Sequence, residues 1–235
     1  MFNLIRLEMK KFKFSMVTKG VIIANLILLA SVLLIGITGK VELEESFASD
    51  KEMGLFIALM TMGTFIIYGS VILAKFTVSE YKNKTMQLMF MYPINRKKLL
   101  MAKLVIVYVF TGLNVLISNI FVMAGASIAE HFIHFVPGGV GIEMVRYVLP
   151  TVGLCIVVSG FLAIVPLFFG MRKKSVSHTI VASVIVTSLS ISNVGEGLDV
   201  ADYFYRILIL GGIAALSIIL TLIYTFNNID TMEID

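Results

Sequence analysis

Few residues of this 235-residue chain stand where side chains could do chemistry. Glu130, His131 and His134 fall at i, i+1 and i+4, which puts a carboxylate and an imidazole on one helical face. A zinc site takes three or four ligands. No further candidate adjoins these three, so they are expected to be polar residues at a membrane border. Glu44 and Glu45 have the pairing of intramembrane protease glutamates, but they lie in a charged stretch without basic and His partners inside a span. A phosphate-binding loop needs G-x-x-x-x-G-K-[ST]. The nearest text, Gly36-Ile-Thr-Gly39-Lys40, has the wrong spacing. The lone cysteine, Cys155, sits in an apolar run, which rules out an intrachain disulfide and a Cys-based metal site. No Ser/His/Asp arrangement is legible. The chain is therefore expected to carry no catalytic site, metal or cofactor of its own.

A second set of polar residues lies inside apolar runs. Thr61, Thr64 and Tyr68 share a helical face, as do Thr179, Ser183, Thr187 and Ser190. Asn114 and Ser118 are one turn apart, and Ser217, Thr221 and Thr225 recur at four-residue steps. Small and hydroxyl residues let membrane helices approach and hydrogen-bond. The same stripes, above all Thr61, Thr64, Tyr68, Asn114, Ser118, Ser183 and Thr187, could instead line a path for substrate.

The elements that position these groups follow from composition. Hydrophobic types make up 58% of the chain and charged types 14%, against about 25% charged in an ordinary soluble domain. Mean hydropathy is +0.97. A soluble enzyme or binding domain is excluded, and a net charge of +4 is too mild to suggest a nucleic-acid partner. About 20 apolar residues span a bilayer as a helix. Six uncharged runs qualify, at 21–38, 53–74, 104–129, 147–170, 176–192 and 207–226, the fifth being the shortest. The fold expected is an all-α bundle of six transmembrane helices forming one domain over 1–235. Pro166 is expected to kink the fourth. The first run is too long for a signal-peptide core and no clear cleavage site follows it, so it reads as a retained span.

Lys and Arg mark the cytoplasmic side. With the N-terminus inside, 15 of the 19 cations fall in cytoplasmic segments, so both termini are expected there, at a plasma membrane. Residues 1–16 carry Phe2, Ile5, Met9, Phe12 and Met16 on one face and Asn3, Arg6, Lys10 and Lys13 on another. Such a helix lies in the lipid interface. Ion-coupled carriers keep ionisable groups inside their spans. None of the six runs contains Asp, Glu, Lys or Arg, so energy is expected to come from another chain. An ion-coupled carrier, or a non-transporting scaffold or sensor, remains the alternative.

The stretch 75–103 is the longest cytoplasmic segment. Thr85 can cap a short helix over 86–92, Pro93 ends it, and Asn95 can cap a helix beginning at Arg96. Met86, Leu88, Met89, Phe90 and Met91 make that short helix apolar between flanking charges, as a docking surface would be. This order of residues resembles the permease subunits of ABC-2-type ATP-binding-cassette transporters. The matching residues are Glu80 after the second span, Lys84-Thr85, Leu88, Pro93, Arg96, and Lys103 at the third span, with Lys84 standing where glycine is common. The six-span plan and the basic N-terminal helix, with Glu8 before Lys10 and Lys11, fit as well. The resemblance implies that 86–92 is a coupling helix seated on a separate ATPase subunit, which holds the ATP and magnesium. Glu80, Lys82, Lys84, Thr85, Leu88, Phe90, Pro93 and Arg96 would then be ATPase-coupling contacts. It also implies a second permease chain, identical or not, and a bacterial exporter of amphipathic peptide antibiotics of the lantibiotic or bacitracin type, conferring resistance by efflux.

Overall fold

The computed structural model describes residues 14–42, 47, 49–78, 96–134, 136, 139, 141–173, 175–191 and 200–228. Among these, every regular element is helical. In chain order they are α1 (Phe14–Glu42), α2 (Asp50–Leu73), a π-helical turn (Ala74–Val78), α3 (Arg96–Ile133), α4 (Ile142–Ile164), α5 (Leu167–Arg172), α6 (Val176–Ile191) and α7 (Val200–Asn228). The expected interfacial helix lies outside the described residues up to Lys13, and from Phe14 the chain is already in α1.

Local chemistry explains several boundaries. Ser49 caps α2, its Oγ accepting from the Glu52 amide, and Asp50 and Glu52 set negative charge against the first-turn amides. Pro166 has no N–H to continue α4. The helix stops at Ile164 and restarts at Leu167, so the expected kink is a break between two helices. Pro150, further from that end, stays within α4. At the start of α7, residues 200–206 form one continuous helix with the last apolar run.

Among the described residues, five helical stretches are long and apolar enough to cross a membrane: Val17–Thr38, Asp50–Thr77, Lys98–Ile133, Met144–Arg172 and Asp202–Ile219. The shorter apolar helix is α6, with 16 residues. At 1.5 Å per residue it is about 24 Å long, less than the ~30 Å hydrocarbon core. Exposed Ile22, Ile27 and Leu34 on α1, Ile117 and Ile120 on α3, Ile185 on α6 and Ile213 and Leu216 on α7 turn outward. Faces this apolar suit lipid, where no water is available to penalise them.

The hub is α2. It packs against α3, α4 and α6, while α1 lies mainly on α3 and α7 on α4. Met53, Ile57, Phe65 and Ile66 of α2 fill the main core together with Val115, Val122, Met144 and Val148. Small residues allow the close approach. A Cβ added at Gly69 would collide with the Thr111 hydroxyl of α3 and stand 3.2 Å from Ala163 Cβ of α4. A Cβ at Gly63 would run into Ile191 of α6. A second apolar cluster, including Leu73, Leu100, Leu104, Leu167, Met171 and Ile218, sits at the end of the bundle where the π turn, α5 and the starts of α3 and α6 meet. Lys75, Lys98 and Arg172 also gather there, making this the basic end of the bundle.

Candidate functional site

Many polar residues of the apolar runs turn inward, though Thr38 and Ser188 are exposed. Thr61 and Asn119 are buried, and Asn119 Nδ2 donates to Thr61 Oγ1 at 2.7 Å, joining α2 to α3. The same nitrogen reaches the Val115 carbonyl at 2.9 Å. Ser70 Oγ donates to the Ala163 carbonyl of α4 at 2.9 Å. Tyr68 OH donates to the Val17 carbonyl of α1 at 2.8 Å. In this way α2 is pinned to three neighbours by three side chains within one decade of sequence. Direct bonds of this kind matter in lipid, because water is not there to replace them.

Each residue of the expected path can be placed. Thr64 is half-buried and donates to the Met60 carbonyl of its own helix. Asn114 is buried and donates to Phe110 O at 2.7 Å. Ser118 is fully buried and its Oγ has no partner. Ser183 and Thr187 are buried on α6. Ser183 donates to Ile180 O, whereas Thr187 Oγ1 has no partner and its methyl faces Gly63. Thr179 and Ser190, on the same stripe, are buried; Thr179 donates to the carbonyl of Ser175 just before the helix, and Ser190 to Val186 O within it. The stripes of α3 and α6 thus lie on two helices that each pack against α2. Asn119 escaped the sequence reading although it adjoins Ser118. An amide inside an apolar run was the available signal.

The far end from the basic cluster is tied by different chemistry. Asp50 Oδ2 accepts from the Gly141 amide at 3.3 Å, and Lys51 Nζ stands 3.9 Å from the Tyr147 ring centroid, joining the starts of α2 and α4. Glu130 is 4% exposed and its Oε2 accepts from the Val136 amide at 3.1 Å. His134 follows in a left-handed conformation, φ 54°, with its amide on Glu130 O. Glu130 and His134 thus close the end of α3 as a C-cap does. Among the described residues no group of three His, Cys, Asp or Glu could hold a metal ion.

Between the basic end and the seam stands Lys103. It is 2% exposed, and its Nζ donates to the Phe76 carbonyl at 2.8 Å. Of the coupling residues expected from sequence, Arg96 opens α3, while Glu80, Lys82, Lys84, Thr85, Leu88, Phe90 and Pro93 lie outside the described residues.

A hydroxyl pair makes the first check of this seam. Thr61→Val keeps the volume and removes the acceptor of the interhelical bond. Asn119 retains Val115 O, so the expected loss is modest, about 0.6 kcal/mol and below ~2. Asn119→Leu removes both bonds and should cost more. Thermal denaturation in detergent, followed by size-exclusion recovery, measures both.

Outward-facing apolar helices, buried polar side chains between them and a basic end define a multi-pass membrane protein. Residues 4–190 match the ABC-2 family transporter proteins, and the chain belongs to that family. Membership makes it a membrane-embedded permease subunit and implies an ABC ATPase as partner. It is 38% identical over 203 residues to the uncharacterized protein YcbO of Bacillus subtilis (strain 168), covering 86% of this chain and 89% of that one. No solved structure matches it.

Proposed function

We infer that this chain is the permease of an ATP-driven exporter, moving an amphipathic peptide antibiotic or a similarly hydrophobic compound out of the cell or the membrane. What supports this most directly is the family match over residues 4–190, which runs from the N-terminal region to the end of α6. The chain has no phosphate-binding loop, so ATP and magnesium belong to the partner. The proposed transporter contains two permease chains and two ATPase chains, in the plasma membrane of a bacterium, with both permease termini cytoplasmic. Glu80, Lys82, Lys84, Thr85, Leu88, Phe90, Pro93 and Arg96 are proposed to meet the ATPase. The seam of Thr61, Asn114, Ser118, Ser183 and Thr187, with Thr64 and Tyr68 at its margin, is proposed to become a path when α2 parts from α3 and α6. That step must open the Asn119–Thr61 bond.

The experiment is co-expression of the tagged chain with each ABC ATPase of the source genome, then purification in mild detergent. The expected result is a stable complex that hydrolyses ATP, faster in the presence of a lantibiotic or bacitracin, while the permease alone shows no turnover. Failure to capture the ATPase, or turnover by the isolated permease, overturns the proposal.

A further inference from the structure

A lysine near a membrane surface ordinarily buries its stem and keeps its ammonium in water. Lys103 does not, being 2% exposed. Its ammonium is set on the carbonyl of Phe76, in the π turn that ends α2, 27 residues earlier in the chain. A helix C-terminus presents carbonyls without intrahelical donors, and a cation there meets the negative end of the dipole. The turn is also unusual in itself. A π turn carries one residue more than α geometry would, and such turns are short and local. Beside Phe76, Thr77 is fully buried and its hydroxyl has no partner. A register that buries an unsatisfied hydroxyl is one that something else must hold. The turn packs against α3, α5 and α6, so its register is felt by three helices.

We propose that Lys103 is a positioning residue: its bond to the Phe76 carbonyl holds Ala74–Val78 in the widened π register. Releasing that bond lets the turn return to α geometry. In α geometry each residue advances by about 100°, more than in the wider π turn, and over the steps from Ala74 this difference turns Thr77 away from its present place in the core. The chain leaves α2 through this turn and returns at Arg96, seven residues before Lys103, so one ammonium fixes both ends of the intervening stretch. It rests on the proposed function only in that the stretch is taken to receive the ATPase.

Thr77 supplies a readout that needs no transport assay. In the full-length chain with Cys155→Ser and Thr77→Cys, reconstituted in phosphatidylcholine–phosphatidylglycerol nanodiscs, the rate of alkylation by a water-soluble maleimide is measured. Expected are slow labelling with Lys103 present, at least tenfold faster labelling with Lys103→Met, and slow labelling again with Lys103→Arg. Equal rates with Lys103 and with Lys103→Met overturn the proposal. Buried Cys155, kept in a parallel chain with native Thr77, must stay unreactive when Lys103→Met is introduced. If it labels too, Lys103 is a general structural support and the proposal also falls. In the complex with the ATPase, trapping with ATP and vanadate is expected to speed labelling of Thr77→Cys in the Lys103 chain. An unchanged rate in an intact complex removes the link to coupling. Failure to capture any ATPase counts against the proposed function and leaves the contrast between Lys103, Met and Arg to decide the clamp.

Discussion

A chain carrying Leu88→Asp and Phe90→Asp is expected to insert into the membrane at normal levels and to lose its ATPase partner and its transport. Both residues belong to the short apolar stretch 86–92, which the sequence places between charged flanks in the segment 75–103. Each such side chain, fully buried at a contact, is worth about 1.5–3 kcal/mol. Losing two, and placing two carboxylates against an apolar groove, should weaken association by at least ~100-fold. The spanning runs are untouched, so insertion should not change. Pull-down from membranes measures the loss. Glu80→Ala should lower ATP-coupled transport more than assembly, and Glu44→Ala should do little. If the double variant captures the ATPase as well as the original chain, the coupling assignment fails.

Gly69→Ala should be the most damaging single methyl in the bundle, and the damage should be repairable at one position. The added Cβ meets the Thr111 hydroxyl on one side and Ala163 Cβ, 3.2 Å away, on the other. Neither is the end of a flexible side chain. Overpacking of this kind costs about 1–3 kcal/mol. Thr111 Oγ1 is buried without a partner, so Thr111→Ala loses no hydrogen bond and opens the space. Alone it should be near neutral, and with Gly69→Ala it should recover most of the loss. A double-mutant cycle on denaturation midpoints tests this. Additive losses would show that α2 does not approach α3 and α4 as closely as the structure has it.

What could be read before folding was local. An uncharged run announces a membrane helix by its own composition, and Pro166 announces a disturbance there, read as a kink and found as a break, because its missing N–H is a property of that residue alone. Partnership is a different matter. Asn114 and Ser118 drew attention as neighbours one turn apart, yet Asn114 bonds to its own helix and the amide that reaches α2 is Asn119. Nothing in local spacing tells which of three adjacent polar positions faces a helix 58 residues away. Lys103 read as a cation at the cytoplasmic border that matches the family pattern at the start of the third span. Its burial depends on where α2 ends, and α2 ends in a π turn for which the sequence offers no signal. The short α6 was visible as the weakest run. The all-helical architecture and the family were both legible.

The central place of α2 has a consequence for how the protein is made. Of the described helices it is the second to leave the ribosome, and its neighbours α3, α4 and α6 come later. The acceptor for Ser70, the carbonyl of Ala163, lies 93 residues downstream. At about 5–20 residues per second the hydroxyl waits roughly 5–20 s for it. Meanwhile Ser70 has only the carbonyls of its own last turn to bond, as Thr61 does with Ile57 and Ala58. The hydroxyls that later join α2 to its neighbours thus first allow it to stand alone in lipid, whereas an Asp or Lys at either position would have no such interim partner. That requirement, set during synthesis, constrains the hub as firmly as any contact in the finished bundle.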